Sequence, residues 1–380
     1  MGSKLDAALK EISKNYGKGV VTKAAEMPEM FRIPTGIATL DADLGGGIPK
    51  SRMTLLIGEP SGSKTTTALM TAANMQQHET LTNRPLVKML DEEREPQNFE
   101  GLLIPYYKYY DKVTGEEKRP GVVIFIDLEG TFDRTWAMAL GVDLNEMEVV
   151  RSDFQEQAYD IVHGLIKTAE VDLIIVDSVA AMTPGKELDV SAEDDLPGLQ
   201  ARKNGQGMRK MMALLNQVDR IEAENNVTAP AVIMINQKRL KIGVMYGNPE
   251  TTPGGRSLDF YAAVKIDFRP DNKNAIKDKD EVIAKAFAYS ITKNKMNGRQ
   301  AQGGFKVYSV DTELYRRGQA NSYDQVFDLA IRMGLVVQEG SMYQFLDQRI
   351  RGKDNALKTL LEIEGGYEQI KNEVVGRLGA

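Results

Sequence analysis

The sequence predicts an α/β protein built on a mostly parallel, twisted sheet with helices on both faces. Two observations predict it. From residue 36 onward, short runs that are apolar throughout alternate with helical segments. A strand buried on both faces reads that way, and a parallel sheet needs helical crossovers that cover both faces. The second observation is a glycine-rich turn, Gly58 to Thr65, set between the first such run and a helix. That is where α/β proteins hold phosphates.

The elements follow in order. Residues 5–16 read as a helix with Leu5, Ala8, Leu9 and Ile12 on one stripe. Gly17 and Gly19 end it, and Val20, Val21 and Thr22 lean towards strand, so residues 1–35 form an arm of helix and strand outside the core. Strands are predicted over 53–57, 122–127, 173–177, 231–236, 262–268 and 286–294. Helices are predicted over 64–75, 136–140, 158–168 and 208–224. Residues 77–120 make a connection longer than an α/β unit needs. This insertion carries the acidic run Asp91, Glu92, Glu93 and the tyrosines 106, 107, 109 and 110, and it predicts a protruding hairpin open to a partner protein. The core then spans 36–315, and a small α/β domain follows over 316–380.

Composition narrows the function. The 380 residues are 42% hydrophobic and 27% charged, ordinary for a globular protein with a substantial core. There is no cysteine, which excludes disulfides and thiolate metal sites. His78 and His163 stand apart from any metal-ligand pattern. No apolar run is long enough to span a bilayer, and the amphipathic N-terminus lacks an apolar signal-peptide core, so a cytoplasmic protein is expected. A net charge of −6 and a pI of about 5.3 argue mildly against nucleic-acid binding in bulk. A binding groove needs only local basicity.

The turn reads Gly58, Glu59, Pro60, Ser61, Gly62, Ser63, Lys64, Thr65, with Thr66 next. Its amides and the helix start would cradle phosphates, Lys64 would reach the β and γ oxygens, and Thr65 would ligate Mg²⁺. Ser63 stands where this pattern has a glycine. Because it lies at the helix entry, a right-handed φ is expected, with its amide still facing the phosphates. The alternative is a chance glycine-rich turn. Asp177, at the end of a later strand, would hold the Mg²⁺ hydration shell, as in phosphate-loop ATPases; otherwise it caps the next helix. Glu129, after the strand ending at Asp127, would orient and deprotonate the attacking water; otherwise it is a solvated strand-end acid.

Read together, these residues resemble the RecA recombinase family in its bacterial form. The most specific stretches are 176–181 (VDSVAA), 235–237 (INQ) and above all 241–255 (KIGVMYGNPETTPGG); 141–143 (GVD) and 293–295 (KNK) fit too. The likeness runs to about residue 310. It implies a phosphate-loop ATPase core that uses ATP and Mg²⁺, and an arm at 1–35 that packs subunit on subunit. The function implied is recombination and repair: helical filaments on single-stranded DNA that pair it with homologous duplex. A loader or single-strand-binding protein would be a further partner. By resemblance, Glu129 is the catalytic carboxylate, and Asp133 and Trp136 contact the adenine, Trp136 by stacking where the family usually has a Tyr. Gln237 would sense the γ-phosphate, and Lys293 and Lys295 would reach a neighbouring subunit's ATP. Ser63, the insertion and the lack of an acidic tail are departures, those of a divergent member such as a phage-encoded one.

DNA would be held by two loops, about 187–198 and 239–256. Arg202 and Arg209 lie seven apart on a predicted helix and share a face, as do Lys203 and Lys210. On spacing alone a solvated basic face explains both pairs. The resemblance makes Arg202 and Arg209 DNA-backbone contacts, with Arg239, Lys241 and the amides of Gly254 and Gly255. Two rivals remain. A hexameric helicase would share the loop and acids but not the 241–255 run or the arm. A non-catalytic DNA-binding filament protein would show no turnover.

Overall fold

The computed structural model describes residues 4–17, 19–27, 30–80, 82–188, 198–222, 229–240, 250–251 and 253–378. Nine strands form the main sheet: β1 (Met53–Gly58), β2 (Val123–Asp127), β3 (Met147–Arg151), β4 (Leu173–Asp177), β5 (Ala231–Gln237), β6 (Val264–Pro270), β7 (Ile276–Asp278), β8 (Glu281–Asn294) and β9 (Gln302–Tyr308). Their order across the sheet is β7-β8-β6-β1-β5-β4-β2-β3, with β9 also pairing β8. β1 to β6 pair with one another in parallel, and β7, β8 and β9 join antiparallel.

β1, β2 and β4 are buried at every position, which is why they read as unbroken apolar runs. Alternate side chains feed two cores. Leu56, Phe125, Ile175 and Ile233 pack beneath the helix Lys64–Met75 on one face. Leu55, Ile57, Ile126 and Val176 pack on the other face against the helices Gln155–Thr168 and Leu199–Glu222. The last of these begins at Leu199, well before the predicted 208, because Gly205 and Gly207 hide its first half from a propensity reading. A C-terminal unit holds the helices Ser322–Arg332, Lys353–Glu362 and Gly366–Leu378 and a three-stranded sheet. Its core includes Phe327, Tyr343, Phe345, Leu360 and Ile370.

Two expectations are corrected. The arm's strand is not at 20–22. Val20 and Val21 form a bend and Thr22 belongs to no regular element, and the strand of this region is Arg32–Ile33, paired with Ile48–Pro49. A strand needs a ladder partner for its amides, and two valines without one do not make it. The insertion does form a hairpin, Leu86–Leu90 against Tyr107–Asp111, prolonged by Gln97–Phe99 against Leu102–Ile104. It does not stand free. At its root, Thr80 Oγ1 donates to Asp172 Oδ2 at 2.7 Å, and Asp172 also forms a fully buried ion pair of 2.7 Å with Lys50. Along its flank Tyr109 donates to Asp143 at 2.8 Å, Lys88 to the Gly141 carbonyl at 3.1 Å, and Asn145 to the Pro105 carbonyl at 2.9 Å. At its tip the Arg134 guanidinium lies 4.0 Å over the Phe99 ring. The hairpin is strapped along the helix Arg134–Ala139 and the turn after it.

Candidate nucleotide and DNA site

The chain leaves β1 at Gly58 and turns over the carboxyl edge of the sheet. A side chain at Gly58 would meet the Phe268 carbonyl oxygen of β6 at 2.1 Å, so only glycine lets the turn sit this close. Lys64 opens the next helix and is 8% exposed. Its Nζ donates to the carbonyls of Glu59 at 2.6 Å and Gly58 at 3.3 Å. Burial lowers its pKa, while the charges of Asp177 and Glu129 pull it up. The structure thus brings a buried cation into the mouth of the turn.

The expected right-handed Ser63 is corrected. Its φ is 77° and ψ 11°, left-handed, and Ser61 is left-handed too at φ 57°. The backbone geometry is the one that favours glycine, and the Ser63 hydroxyl is buried with no hydrogen-bond partner. Entry into a helix did not decide φ here, because the loop must first wrap back over Lys64.

Strand ends supply the acids. Thr65 Oγ1 donates to Asp177 Oδ2 at 2.6 Å. Burial pushes Asp177 up to about 6, against the opposing pull of the Thr65 hydroxyl. A desolvated carboxylate touching a hydroxyl fits Mg²⁺, which takes one or two protein oxygens and fills its shell with water and substrate phosphate. Among the described residues no group of three or more His, Cys, Asp or Glu side chains is placed to hold a metal ion, here or elsewhere. Glu129 is exposed at the end of β2, where its Oε1 accepts from Ser178 Oγ and, at 3.1 Å, from Gln237 Nε2 at the end of β5. The sheet therefore gathers Lys64, Thr65, Asp177, Glu129 and Gln237 at one edge.

Trp136 joins them. It is half-buried, and its Nε1 donates to Thr66 Oγ1 at 3.3 Å. With Ser61–Thr66, Phe287 and Val307 it lines a cleft of 460 Å³. Asp133 does not line this cleft. It caps the helix Arg134–Ala139 by accepting from the Trp136 amide at 3.0 Å. It lines a neighbouring, larger cleft of 910 Å³ with Phe99, Arg134, Val149 and Arg151, where no phosphate-loop residue is found. Two further residues on the Trp136 cleft, Lys285 and Arg317, were missed from sequence. They lie in no motif and come together only through the β8–β9 pairing and the loop beyond it.

Lys293 and Lys295 stand apart from their own chain's loop. Register pairs Lys293 with Lys265, and Lys265 with Leu55, whereas the turn leaves from Gly58. At roughly 3.3 Å per residue that is on the order of 10 Å along the strands, and two strands sideways as well. Their Nζ atoms gather on carbonyls that end the helix Ser257–Tyr261: Lys293 on Asp259 and Phe260, Lys295 on Phe260 at 3.3 Å. Burial and the neighbouring Lys295 charge lower the Lys293 pKa.

Arg202 and Arg209 are exposed on the helix Leu199–Glu222, with no ion-pair partner among the described residues. They line a cleft of 550 Å³ with Arg256, Ser257 and Phe260. Lys203 and Lys210 turn instead to Glu156 and Asp160, at 3.1 Å and 3.6 Å. The Gly254 carbonyl accepts from Asn204 Nδ2 at 3.0 Å, and Gly255 lies against Ala201, so both glycines sit on the first turns of this helix. Arg256 is a third cation on this cleft, and its place directly after Gly254–Gly255, at the end of the second expected loop, is the sequence signal for it. Arg239 is exposed, in a short strand paired with Glu250–Thr251. Lys241, and the greater parts of both expected DNA loops, lie outside the described residues.

A glycine-rich turn over the carboxyl edge of a mostly parallel sheet with helices on both faces places the chain in the α/β class of proteins. The particular family follows from comparison with known proteins. The RecA N-terminal domain model matches residues 3–87 and 110–312, leaving out the greater part of the hairpin. The RecA protein of Thermus aquaticus is 35% identical over 380 residues, covering 98% of this chain and 94% of that protein. The RecA protein of Mesorhizobium japonicum is 34% identical over 357 residues, 93% of this chain and 81% of that one. The chain belongs to the RecA family and is a homologous recombinase. The family is one of DNA-dependent ATPases that bind ATP, generally with Mg²⁺, and assemble on DNA. No helix among the described residues is long and apolar enough to cross a membrane.

Proposed function

We propose that this chain works in the cytoplasm as an ATP-dependent strand-exchange filament whose nucleotide site is shared between neighbouring protomers. One observation carries the reading. The end of β5 bears Gln237, bonded to Glu129, and Arg239 follows two residues later at the root of the second DNA loop. A single strand end thus joins the hydrolytic carboxylate to the DNA face. Asn236 adds to the link by donating to the Pro253 carbonyl, at the loop's far end, at 2.9 Å.

In this reading Lys64 and the loop amides bind the β and γ phosphates of ATP. Thr65 and Asp177 would hold Mg²⁺, which would screen the phosphate charge. Glu129 orients water towards the γ-phosphorus and accepts its proton. Gln237 leaves Glu129 when it meets a γ-phosphate, and so reports nucleotide state to the loop. Arg202, Arg209, Arg239, Arg256 and the Gly254–Gly255 amides bind DNA phosphates without reading bases, as a protein acting on any sequence requires. Homology is then read by base pairing. Lys293 and Lys295 serve the next protomer's ATP, since they stand away from their own loop. The helix Lys4–Tyr16 buries none of its residues and leaves Leu5 65% exposed, which supports its role as an arm for a neighbour.

The test is joint-molecule formation. Single-stranded DNA, a homologous supercoiled duplex, ATP and Mg²⁺ should give joint molecules that require both homology and ATP. Rings of six that unwind duplex without regard to homology would support a helicase instead.

A further inference from the structure

The cleft that holds Trp136 has a wall the assignments above leave unused. Arg317 lines it, and its guanidinium carbon lies over the Trp136 ring, 5.9 Å from the centroid. Arg317 is exposed and has no ion-pair partner among the described residues. We propose that Arg317 is the second jaw of a base-binding slot, so that the purine of ATP stacks between the Trp136 ring and the Arg317 guanidinium. The proposal rests on reading this cleft as the ATP site.

Dimensions and chemistry support the slot. Stacked layers sit roughly 3.4 Å apart, so a base between two planes needs about 7 Å. The observed spacing falls short by about 1 Å, within reach of one long side chain. A guanidinium is planar, weakly hydrated and permanently charged, and it stacks on aromatic faces. Lys285 adds a second cation to the wall, in register with Val307 on the cleft floor. Both favour an anionic nucleotide over a neutral base.

The backbone that presents Arg317 is fixed. The Arg317 amide donates to Asp311 Oδ1 at 2.8 Å, and the Arg316 amide to Gln319 Oε1 at 2.9 Å. The Gly318 amide donates to the Tyr308 carbonyl at 2.8 Å. Tyr308 is stacked on Tyr315 at 4.4 Å, and Tyr315 in turn donates to Asp324 at 2.7 Å. At Gly318 φ is +86°, and any side chain there would meet the Ala139 carbonyl oxygen at 2.1 Å. Ala139 ends the helix that carries Trp136. The loop bearing one jaw therefore lies directly against the helix bearing the other, which sets the gap between them.

Trp136 is the only tryptophan, so its emission reports the slot directly. The full chain, without DNA, is titrated with Mg-ATP and separately with Mg-tripolyphosphate, which has the phosphates but no base. Affinity is read by calorimetry and Trp136 emission is followed in parallel. ATP should change the emission of wild type. Arg317→Ala should weaken ATP binding about tenfold and leave tripolyphosphate binding unchanged, with Arg317→Lys in between. An unaltered melting curve would place the effect at the site. ATP affinity equal to wild type in Arg317→Ala, with the emission change intact, would overturn the jaw and leave the ATP site standing. Equal weakening towards both ligands would make Arg317 a general cation and overturn the slot. Wild type that binds both ligands alike, with no emission change, would sink the ATP-site reading itself.

Discussion

Gln237 donates from Nε2 to Oε1 of Glu129 at 3.1 Å, so the end of β5 holds the carboxylate that lies two residues beyond β2. Ser178 Oγ donates to the same oxygen. Both donors hold Oε1 in place, and release of Gln237 would free the carboxylate to turn towards a water. Gln237→Ala should leave ATP and DNA binding intact and uncouple them, with hydrolysis no longer rising when single-stranded DNA is added. Stimulation equal to wild type would remove Gln237 from the relay. Glu129→Gln should bind ATP and DNA and lose hydrolysis by about 10²–10⁴. Loss of nucleotide binding in that variant would point to a structural role.

Lys64 is the cation in the mouth of the turn. Lys64→Ala should abolish DNA-stimulated hydrolysis, and chelating Mg²⁺ should do the same to wild type, because Thr65 and Asp177 would then bring no cation to the phosphates. Steady-state turnover with and without chelator decides both. Undiminished turnover in Lys64→Ala would overturn the site.

Ser63 occupies backbone that favours glycine, and its hydroxyl is unpaired. A non-glycine residue in left-handed geometry costs about 1 kcal/mol. Ser63→Gly should therefore stabilise the chain by about that amount and raise Tm by a few degrees at most. ATP affinity should change little, since Ser63 already adopts the required turn. Ser63→Val should lower Tm. Identical melting of all three proteins would mean the loop carries no such strain.

DNA affinity should fall with salt and depend little on sequence. For single strands the slope of log K against log salt is roughly −0.7 per phosphate neutralised. Arg209→Ala and Arg256→Ala should each flatten it by up to that amount and weaken binding on all sequences alike. A double variant with wild-type slope and affinity would take the cleft off the DNA path.

The hairpin is tied to the core at its root and flank. Replacing residues 91–106 by a short linker should spare folding and DNA-stimulated ATPase. Tyr109→Phe should instead destabilise the chain by about 1–3 kcal/mol, because Asp143 loses a buried donor. Denaturant melts test the second expectation and turnover the first. Lost activity in a folded deletion variant would bring the hairpin tip into the site.

The parallel sheet was legible because its central strands are buried on both faces and so are apolar over most of their length, with the acids Asp127 and Asp177 only at their ends. Lys64, Thr65, Asp177 and Glu129 were legible because each ends a strand or opens a helix. Ser63 was misread because φ there answers to the wrap of the loop, a tertiary demand that local propensity does not encode. Arg317, Lys285 and Arg256 were passed over because their neighbours arrive from distant sequence. The course of the hairpin was hidden because Asp143, Asp172 and Arg134, which hold it, lie outside the insertion.

A nucleotide site completed by a second protomer should be restored by mixing two inactive variants. Lys64→Ala lacks the phosphate cation, and Lys293→Ala lacks the cation offered to the neighbour. Each alone should be inactive on single-stranded DNA. Co-assembled filaments should regain partial ATPase, because some interfaces pair an intact Lys64 with an intact Lys293. Mixed filaments, verified by electron microscopy, that hydrolyse no faster than either variant alone would contradict a shared site.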